Sequence, residues 1–209
     1  MSGRIIEGAE DLAEGADWLA AREPRFGEAL RVVGPLPLRR RPEGFAQLLW
    51  AITGQQVSTA SAAAVWARVE AAGLTDPGRV AEARDEDLRA VGLSRQKARY
   101  ARALAQAGID YAALRALPDA AVVARLTEVP GIGRWTAEIY AMFSLGRADV
   151  FAPGDLALQE AVRALFGLED RPREAALREM AADWSPWRGV AARLLWAYYR
   201  VVTNREGMR

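Results

Sequence analysis

The apolar residues of this chain recur mostly at intervals of three and four positions, which is the spacing of one face of a helix. One such series runs through Leu48, Leu49 and Ile52, and another follows within residues 60–69. The alternation of apolar and polar residues that is typical of a half-buried strand is scarce. Glycines and prolines interrupt the series at short intervals, as expected for turns between helices. The pattern therefore predicts an all-α fold.

The composition limits the chemistry that the chain can perform. With 209 residues, of which 51% are hydrophobic, it can form one domain or two closely packed lobes. It has no cysteine and no histidine, which excludes disulfides, zinc–thiolate sites and iron–sulfur clusters and removes the commonest acid–base residue. Any catalysis must therefore use carboxylates, lysine, tyrosine, hydroxyl groups or the backbone.

The charge and hydropathy of the chain indicate where a partner can bind. The formal net charge is only +1, so a surface for nucleic acid must be a local patch. Lysine and arginine together number 28, and Lys97 is the only lysine. No apolar run has the length of a membrane span, and the N-terminus has no signal-peptide pattern. We expect no membrane contact and a cytoplasmic protein.

Residues 126–138 are the most informative segment and predict two helices joined by a tight turn at residues 130–133. The glycines of that turn permit a sharp bend and a close approach of another backbone. The free N–H groups at the start of the second helix suit a phosphate oxygen. Two interpretations remain open on these residues: an ordinary pair of helices with glycine at its turn, or a clamp on a nucleic-acid backbone.

Two further positions combine a capping signal with possible chemistry. Pro153 and Gly154 end one segment and a new helix is predicted to follow, so Asp155 has the position of an N-cap as well as of a catalytic carboxylate. Residues 54–58 lie between two predicted helices, with Ser58 at an N-cap position. Capping alone explains both positions equally well from local sequence, and a cap can coexist with another role.

Three stretches taken together resemble the helix-hairpin-helix DNA glycosylases, and most of all the 3-methyladenine DNA glycosylase II group. They are residues 129–137 followed by Asp155, residues 54–58, and residues 184–196. The similarity extends from about residue 43 to residue 200. A Gly-x-Gly hairpin alone is shared by many DNA-binding modules, whereas the three stretches together are specific.

The resemblance implies two helical lobes with a DNA-binding cleft between them. We expect a central lobe at 40–150, carrying the hairpin, and a second lobe made of 1–39 plus 151–209, carrying Asp155. The related group has a sheet domain at its N-terminus, and the residues before Glu43 are too few to form one. The implied partner is double-stranded DNA with a damaged base. We expect a monomer that acts with the bacterial nucleoid.

The resemblance also assigns the DNA contacts. The amides of Gly131 and Gly133 and the hydroxyl or amide of Thr136 are expected to hold a phosphate. Residues 54–58 are expected to enter the minor groove through Gln55, Gln56 and Ser58. Gln56 takes the position of a wedge that fills the space left by the flipped base, where the related group has an apolar side chain.

A monovalent cation is a further expectation from the resemblance. In the family, backbone carbonyl groups of the hairpin bind such an ion, which touches a phosphate. Here the carbonyls belong to Thr127, Val129 and Ile132, and the ion is Na⁺ or K⁺ when DNA is bound. The resemblance implies no required cofactor and no iron–sulfur cluster.

The implied reaction is hydrolysis of the bond between a flipped base and its sugar. The base must leave the stack because that bond is unreachable within the duplex. Asp155 is expected to stabilise an oxocarbenium-like sugar and to orient or deprotonate water. Relatives that also cut the strand carry a lysine where this chain has Trp135, so no Schiff base forms at that position. The expected enzyme is monofunctional.

The implied base pocket is aromatic. Alkylated purines carry positive charge and stack well on tryptophan, and the pocket positions are Trp135, Trp196, Ile139 and Leu156. The family's aromatic residues are absent from the last two positions, which predicts a more open pocket and a wider range of alkylated bases. The role of Arg188 stays open between supporting Asp155 and contacting a phosphate.

Two other functions remain as alternatives. One is a non-catalytic helix-hairpin-helix DNA-binding module, and the other is a glycosylase for oxidised or deaminated bases. Of the remaining tryptophans, Trp18, Trp50 and Trp66 lie on apolar stripes and are predicted to pack in the core.

Overall fold

The structure, a computed structural model, describes residues 3–206, and the predicted all-α fold is confirmed. Within those residues no β-strand forms, and a single antiparallel bridge joins Ile5 to Arg147. The outermost residues of the predicted second lobe, 1–2 and 207–209, lie outside the described part. The helices are α1 (Ala9–Arg22), α2 (Pro24–Val33), α3 (Phe45–Thr53), α4 (Thr59–Ala71), α5 (Pro77–Glu82), α6 (Asp85–Ala90), α7 (Arg95–Gln106), α8 (Tyr111–Leu114), α9 (Asp119–Thr127), α10 (Arg134–Phe143), α11 (Leu156–Phe166), α12 (Glu174–Met180) and α13 (Arg188–Glu206), with a 3₁₀ helix at Ala181–Trp184.

Side-chain caps begin several of these helices. The Ser58 hydroxyl accepts a hydrogen bond from the amide of Ser61 at 3.2 Å, and Ser94 accepts one from the amide of Lys97 at 3.2 Å. Each bond satisfies an amide of a first helical turn, which has no partner within the helix. The N-cap position predicted for Ser58 is confirmed.

The chain divides into two compact units, and the first is Arg41–Tyr140. Helix α7 organises this unit, because it packs against α3, α5 and α6. The apolar faces of these helices and of α8 and α9 supply the buried core, which includes Leu48, Ile52, Val80, Leu88, Ala101, Leu104, Leu114, Val122 and Leu126.

The second unit consists of the described residues of Ser2–Arg40 and Ala141–Arg209. Helix α13 is its centre and packs against α1, α2 and α11. Aromatic residues fill the space between these helices: the ring of Phe26 meets Trp184 edge-on at 5.2 Å and Phe166 at 5.9 Å. Such edge-to-face pairs add to the free energy gained by burying the rings.

The prediction that Trp18, Trp50 and Trp66 are core residues is wrong. Trp50 is 37% exposed, with the guanidinium of Arg41 at 5.3 Å from its ring centre. Trp18 and Trp66 are only half-buried. The run of five apolar residues at 48–52 surrounds α3 on all sides, so hydrophobic spacing could not select the buried face.

Because of Tyr140, the first unit should lose free energy of unfolding at alkaline pH. Burial raises the pKa of Tyr140 to about 12, against the opposing effect of the hydrogen bond that its hydroxyl accepts from Gly44 N–H at 2.8 Å. Below pH 10 the phenol is neutral in both states. Above pH 10 it ionises in the unfolded chain but keeps its proton in the folded one, so its contribution is lost as pH rises from about 10 to 12.

We expect Tyr140→Phe to flatten this part of the pH dependence. The wild type should lose about 2–3 kcal/mol more unfolding free energy than the variant between pH 9 and pH 12. At pH 7 the variant should be less stable by about 1–3 kcal/mol, because the Gly44 amide loses its acceptor. Urea unfolding at each pH measures both effects. Equal pH slopes for the two proteins would remove Tyr140 as the cause.

Candidate active site

Asp155 stands at the N-terminus of α11 in the second unit. One of its carboxylate oxygens, Oδ1, accepts hydrogen bonds from the amides of Ala157 at 2.9 Å and Leu158 at 3.1 Å and from the indole Nε1–H of Trp196 at 3.1 Å. Three donors on one oxygen fix the orientation of the carboxylate, and two of them make Asp155 the N-cap of α11. The capping interpretation therefore holds, and it leaves the catalytic one open.

Trp196 links this carboxylate to an aromatic pair. Its ring lies against that of Phe143, with centres 5.6 Å apart and an interplanar angle of 33°. The guanidinium of Arg193 lies 4.6 Å from the centre of the Phe143 ring. Trp196 is half-buried, so it combines a fixed edge at Asp155 with a partly accessible ring. Phe143 was not predicted, and its sequence offers only an apolar position near the end of a helix.

Arg188 is paired with Asp149 in the second unit. Its guanidinium forms a two-pronged ion pair with Asp149, with Nε and Nη2 at 2.8 Å from the two carboxylate oxygens, and the Ser185 hydroxyl donates to the same carboxylate at 2.8 Å. These contacts hold segment 184–189 against residue 149, six positions before Asp155 in the chain. Of the two roles left open for Arg188, this contact favours support of the surroundings of Asp155.

The position after Arg188 has room only for glycine. A Cβ at this position would lie 2.9 Å from the carbonyl oxygens of Arg147 and Ala148. The Gly189 amide also donates to the Ala148 carbonyl at 2.7 Å. The start of α13 therefore approaches residues 147–150 more closely than any larger residue permits.

Leu156 follows Asp155 and is 61% exposed. It lines a cleft of about 380 Å³ in the second unit, together with side chains of α11, α13 and the segment after α11. The polar and aromatic side chains among them include Glu160, Arg163, Arg171, Tyr198 and Tyr199. A large apolar side chain with this exposure beside a fixed carboxylate is available for contact with a ligand.

The hairpin predicted in the first unit lies between the end of α9 at Thr127 and the start of α10 at Arg134. Gly131 has φ +93°, and a side chain there would overlap the ring of Tyr100. Gly133 is exposed, whereas Thr136 is buried. The turn therefore needs glycine at 131, both for its backbone angle and for its contact with Tyr100.

The two hairpin positions assigned to the base pocket differ in exposure. Trp135 is 47% exposed, while Ile139, one turn further along α10, is half-buried. The chain's lysine lies elsewhere: Lys97 Nζ donates to the backbone carbonyl of Thr53 at 2.7 Å. The Lys97 amino group is thus hydrogen-bonded to the last residue of α3.

The turn at 54–58 is held against the hairpin by Gln55. Its side-chain Nε2 donates to the Gly131 carbonyl at 2.9 Å. The next residue, Gln56, is exposed and has φ +56°, in the left-handed region that few residues other than glycine adopt. Val57 is also exposed. The turn therefore exposes the side chains of Gln56 and Val57, next to the Gln55 side chain that is bound to the hairpin.

The carbonyl groups of Thr127, Val129 and Ile132, for which the resemblance implies a bound cation, are neutral oxygen donors. Neutral oxygen donors without a carboxylate fit an alkali ion better than a transition metal. Across the described residues, no group of three or more acidic side chains is suited to hold a metal ion, in a chain without histidine or cysteine. None of the helices within the described residues combines the length and the apolar character that a membrane span requires.

Comparison with known proteins places these features in a wider group. The family described as HhH-GPD superfamily base excision DNA repair protein matches residues 49–186. A Bacillus subtilis protein named putative DNA-3-methyladenine glycosylase is 32% identical over 124 residues, which cover 57% of this chain and 43% of that protein. The chain thus spans less than half the length of this relative.

Two solved structures are similar over most of their length. A DNA-3-methyladenine glycosidase from Bacillus halodurans has a TM-score of 0.84 and 31% identity, with 91% of each chain covered. The Schizosaccharomyces pombe 3-methyladenine DNA glycosylase, in complex with abasic DNA, has a TM-score of 0.75 and 27% identity, with 88% of this chain and 95% of that chain covered.

Proposed function

Since the chain belongs to the HhH-GPD superfamily of base excision DNA repair proteins, we propose that it is a monofunctional DNA glycosylase for alkylated bases. Its substrates would be 3-methyladenine, 7-methylguanine and similar bases in double-stranded DNA, and its product an abasic site. The observation that carries the proposal is the Asp155 carboxylate, held by two backbone amides and the Trp196 indole in a chain of this family.

The reaction breaks the bond between C1′ of the sugar and N9 of the purine. The purine leaves with the bonding electron pair, which cancels the positive charge that alkylation at N3 or N7 gave it. No general acid is needed, in keeping with a chain that has no histidine. The Asp155 carboxylate stabilises the developing oxocarbenium ion, and water then adds to C1′ while its proton passes to Asp155 or to solvent.

The hydrogen bonds at Asp155 suit this role. The amides of Ala157 and Leu158 and the Trp196 indole all donate to Oδ1, so the plane of the carboxylate is set before the substrate arrives. A preorganised negative charge needs little rearrangement as positive charge develops on the sugar, which is the general basis of electrostatic catalysis. The half-buried Trp196 ring beside it offers a surface on which a cationic base can stack.

The duplex would be held through its backbone. Amides of Gly131 and Gly133 and the start of α10 are the proposed phosphate donors, and Thr136, which is buried, contributes through its hydroxyl or amide. An alkali ion on the carbonyls of Thr127, Val129 and Ile132 would add a positive charge against the same phosphate. Such contacts position the duplex and read no sequence.

Gln56 is the proposed wedge. Its exposed position at the tip of the 54–58 turn lets its amide enter the space left by a flipped nucleotide and hydrogen-bond to the opposite base. An amide can donate and accept, so it offers little preference among the four bases. The enzyme should therefore tolerate different bases opposite the lesion.

Strand cleavage should be absent. Trp135 occupies the position at which related enzymes that cut DNA carry lysine, and the Lys97 amine is bonded to the Thr53 carbonyl. Without a free amine at the sugar, no Schiff base can form and the backbone stays intact. We propose that the protein acts as a monomer on genomic DNA and leaves the abasic site to another enzyme.

We expect base release without strand breaks from duplexes that hold one lesion each. The panel should contain 3-methyladenine, 7-methylguanine, an alkylated cytosine and 8-oxoguanine, and each product should be run on a gel before and after alkali. The expected result is breaks at alkylated bases only after alkali. Breaks before alkali would contradict the monofunctional mechanism, and release of 8-oxoguanine alone would move the substrate class to oxidised bases. Activity on 3-methyladenine alone would reject the wider lesion range inferred from Ile139 and Leu156.

A further inference from the structure

We propose that Lys97 and Gln55 are positioning residues that hold the Gln56 turn and the hairpin together as one element for reading the duplex. The inference deepens the proposed function, on which it rests, because it concerns how the wedge reaches its place beside a held phosphate. Lys97 acts without touching DNA, and the side chain of Gln55, for which the resemblance implied a minor-groove contact, is hydrogen-bonded to the Gly131 carbonyl. All the contacts that support the proposal lie within the first unit.

Lys97 fixes the end of the helix from which the turn departs. Thr53 is the last residue of α3, and its carbonyl is one of the final four that find no partner within a helix. The Lys97 ammonium donates to this carbonyl at 2.7 Å. A cation at the negative end of a helix is favourable, and partial burial strengthens the interaction. That burial lowers the pKa of Lys97 from its ordinary value.

Tyr100 packs the hairpin against the face of α7 that also carries Lys97. It lies three residues after Lys97, so the two side chains share one side of the helix. The ring of Tyr100 packs on Gly131 so closely that a Cβ there would overlap it. Its hydroxyl accepts a hydrogen bond from Gln96 Nε2 at 2.7 Å. One helix thus supports both the end of α3 and the hairpin turn.

Gln55 connects the turn directly to both neighbouring elements. Its backbone N–H donates to the Ile52 carbonyl at 3.2 Å, and its side-chain Nε2 donates to the Gly131 carbonyl at 2.9 Å. Between these anchors Gln56 has a left-handed backbone, a strained conformation that persists only where its surroundings impose it. Lys97 and Gln55 are the polar side chains that impose it here.

The test uses an uncleavable duplex with an abasic analogue and a fluorescent 2-aminopurine opposite it. Insertion of Gln56 should change the fluorescence on binding, and Gln56→Gly should lose that change. We expect Lys97→Met to keep duplex binding within about threefold of the wild type and to lose most of the fluorescence change. Lys97→Arg, which restores a cationic donor, should recover it. The matched control is Arg99→Met, which removes the same charge from an exposed position on the same helix.

Base release provides a second readout. Lys97→Met should lower the single-turnover rate about tenfold for a lesion in a base pair, and by much less when the lesion faces an abasic site and no wedge is needed. A fluorescence change and rate equal to the wild type would overturn the proposal. So would an equal loss on paired and unpaired lesions, which is the result expected of a merely structural defect.

A second variant covers the case in which Lys97→Met does not fold. Gln55→Glu keeps the size of the side chain but sets a carboxylate against the Gly131 carbonyl, and it should show the same selective loss. Because the fluorescence assay needs no hydrolysis, it also separates the two proposals. A wild type that inserts Gln56 but releases no base would reject the glycosylase function and keep the positioning role.

Discussion

Asp155→Asn should lower the rate of base release by about 10²–10³-fold, as expected when a charge that stabilises a transition state is removed. The substitution removes the negative charge and little else. An asparagine oxygen can still accept from the amides of Ala157 and Leu158 and from the Trp196 indole, and asparagine caps helices about as well as aspartate. The fold and the cap should therefore survive while the charge proposed to face the sugar is lost.

Single-turnover base release with excess enzyme measures this effect. The control is Asp76→Asn, the same change at another N-cap, where Asp76 accepts from the Arg79 amide at 2.9 Å. It should keep the wild-type rate. Thermal unfolding should be nearly unchanged in both variants. If Asp155→Asn kept more than a tenth of the activity, the carboxylate would be a helix cap and not the catalytic group.

Gly131→Ala is expected to produce the largest loss of DNA affinity among single methyl additions. The residue has φ +93°, and the added Cβ would overlap the ring of Tyr100, so the turn must move. Moving it misplaces the amides proposed to hold a phosphate. We expect duplex affinity to fall about tenfold or more, since hydrogen bonds to charged groups are strong, and stability to fall by about 1–3 kcal/mol.

A matched glycine separates backbone strain from loss of the clamp. Gly108 has φ +57° in the same unit, and a Cβ there would meet nothing within 4 Å. Gly108→Ala should cost some stability and leave DNA affinity unchanged. Fluorescence anisotropy with a labelled duplex, beside urea unfolding, measures both quantities. Equal affinities for Gly131→Ala and the wild type would remove the hairpin from the binding surface.

Local sequence was sufficient for the all-α fold and for the caps at Ser58 and Asp155. The three- and four-residue spacing around Leu48 and Ile52 predicts helix correctly, and Ser58 lies at the cap that its position indicates. Such features depend on neighbours within one or two turns, so they are visible in sequence. The position of Asp155 at the start of α11 is of the same kind.

Contacts between distant residues could not be predicted. The ion pair of Asp149 with Arg188 joins positions 39 apart, the Lys97 bond to Thr53 joins positions 44 apart, and Gln55 reaches Gly131 across 76 positions. No local pattern encodes such pairs, because tertiary packing brings them together. Local sequence also failed to predict which tryptophans are buried. Trp184 and Trp187, on either side of Pro186, are buried, whereas Trp50 is exposed.

The proposed glycosylase activity can be assayed by incubating the wild type with duplex DNA that contains 3-methyladenine or 7-methylguanine and identifying the released product by chromatography. We expect free methylated purine in amounts that exceed the protein over time, with the DNA strand intact until alkali is added. Duplex binding without any free base, from alkylated or oxidised DNA, would reject the glycosylase function and leave a DNA-binding module.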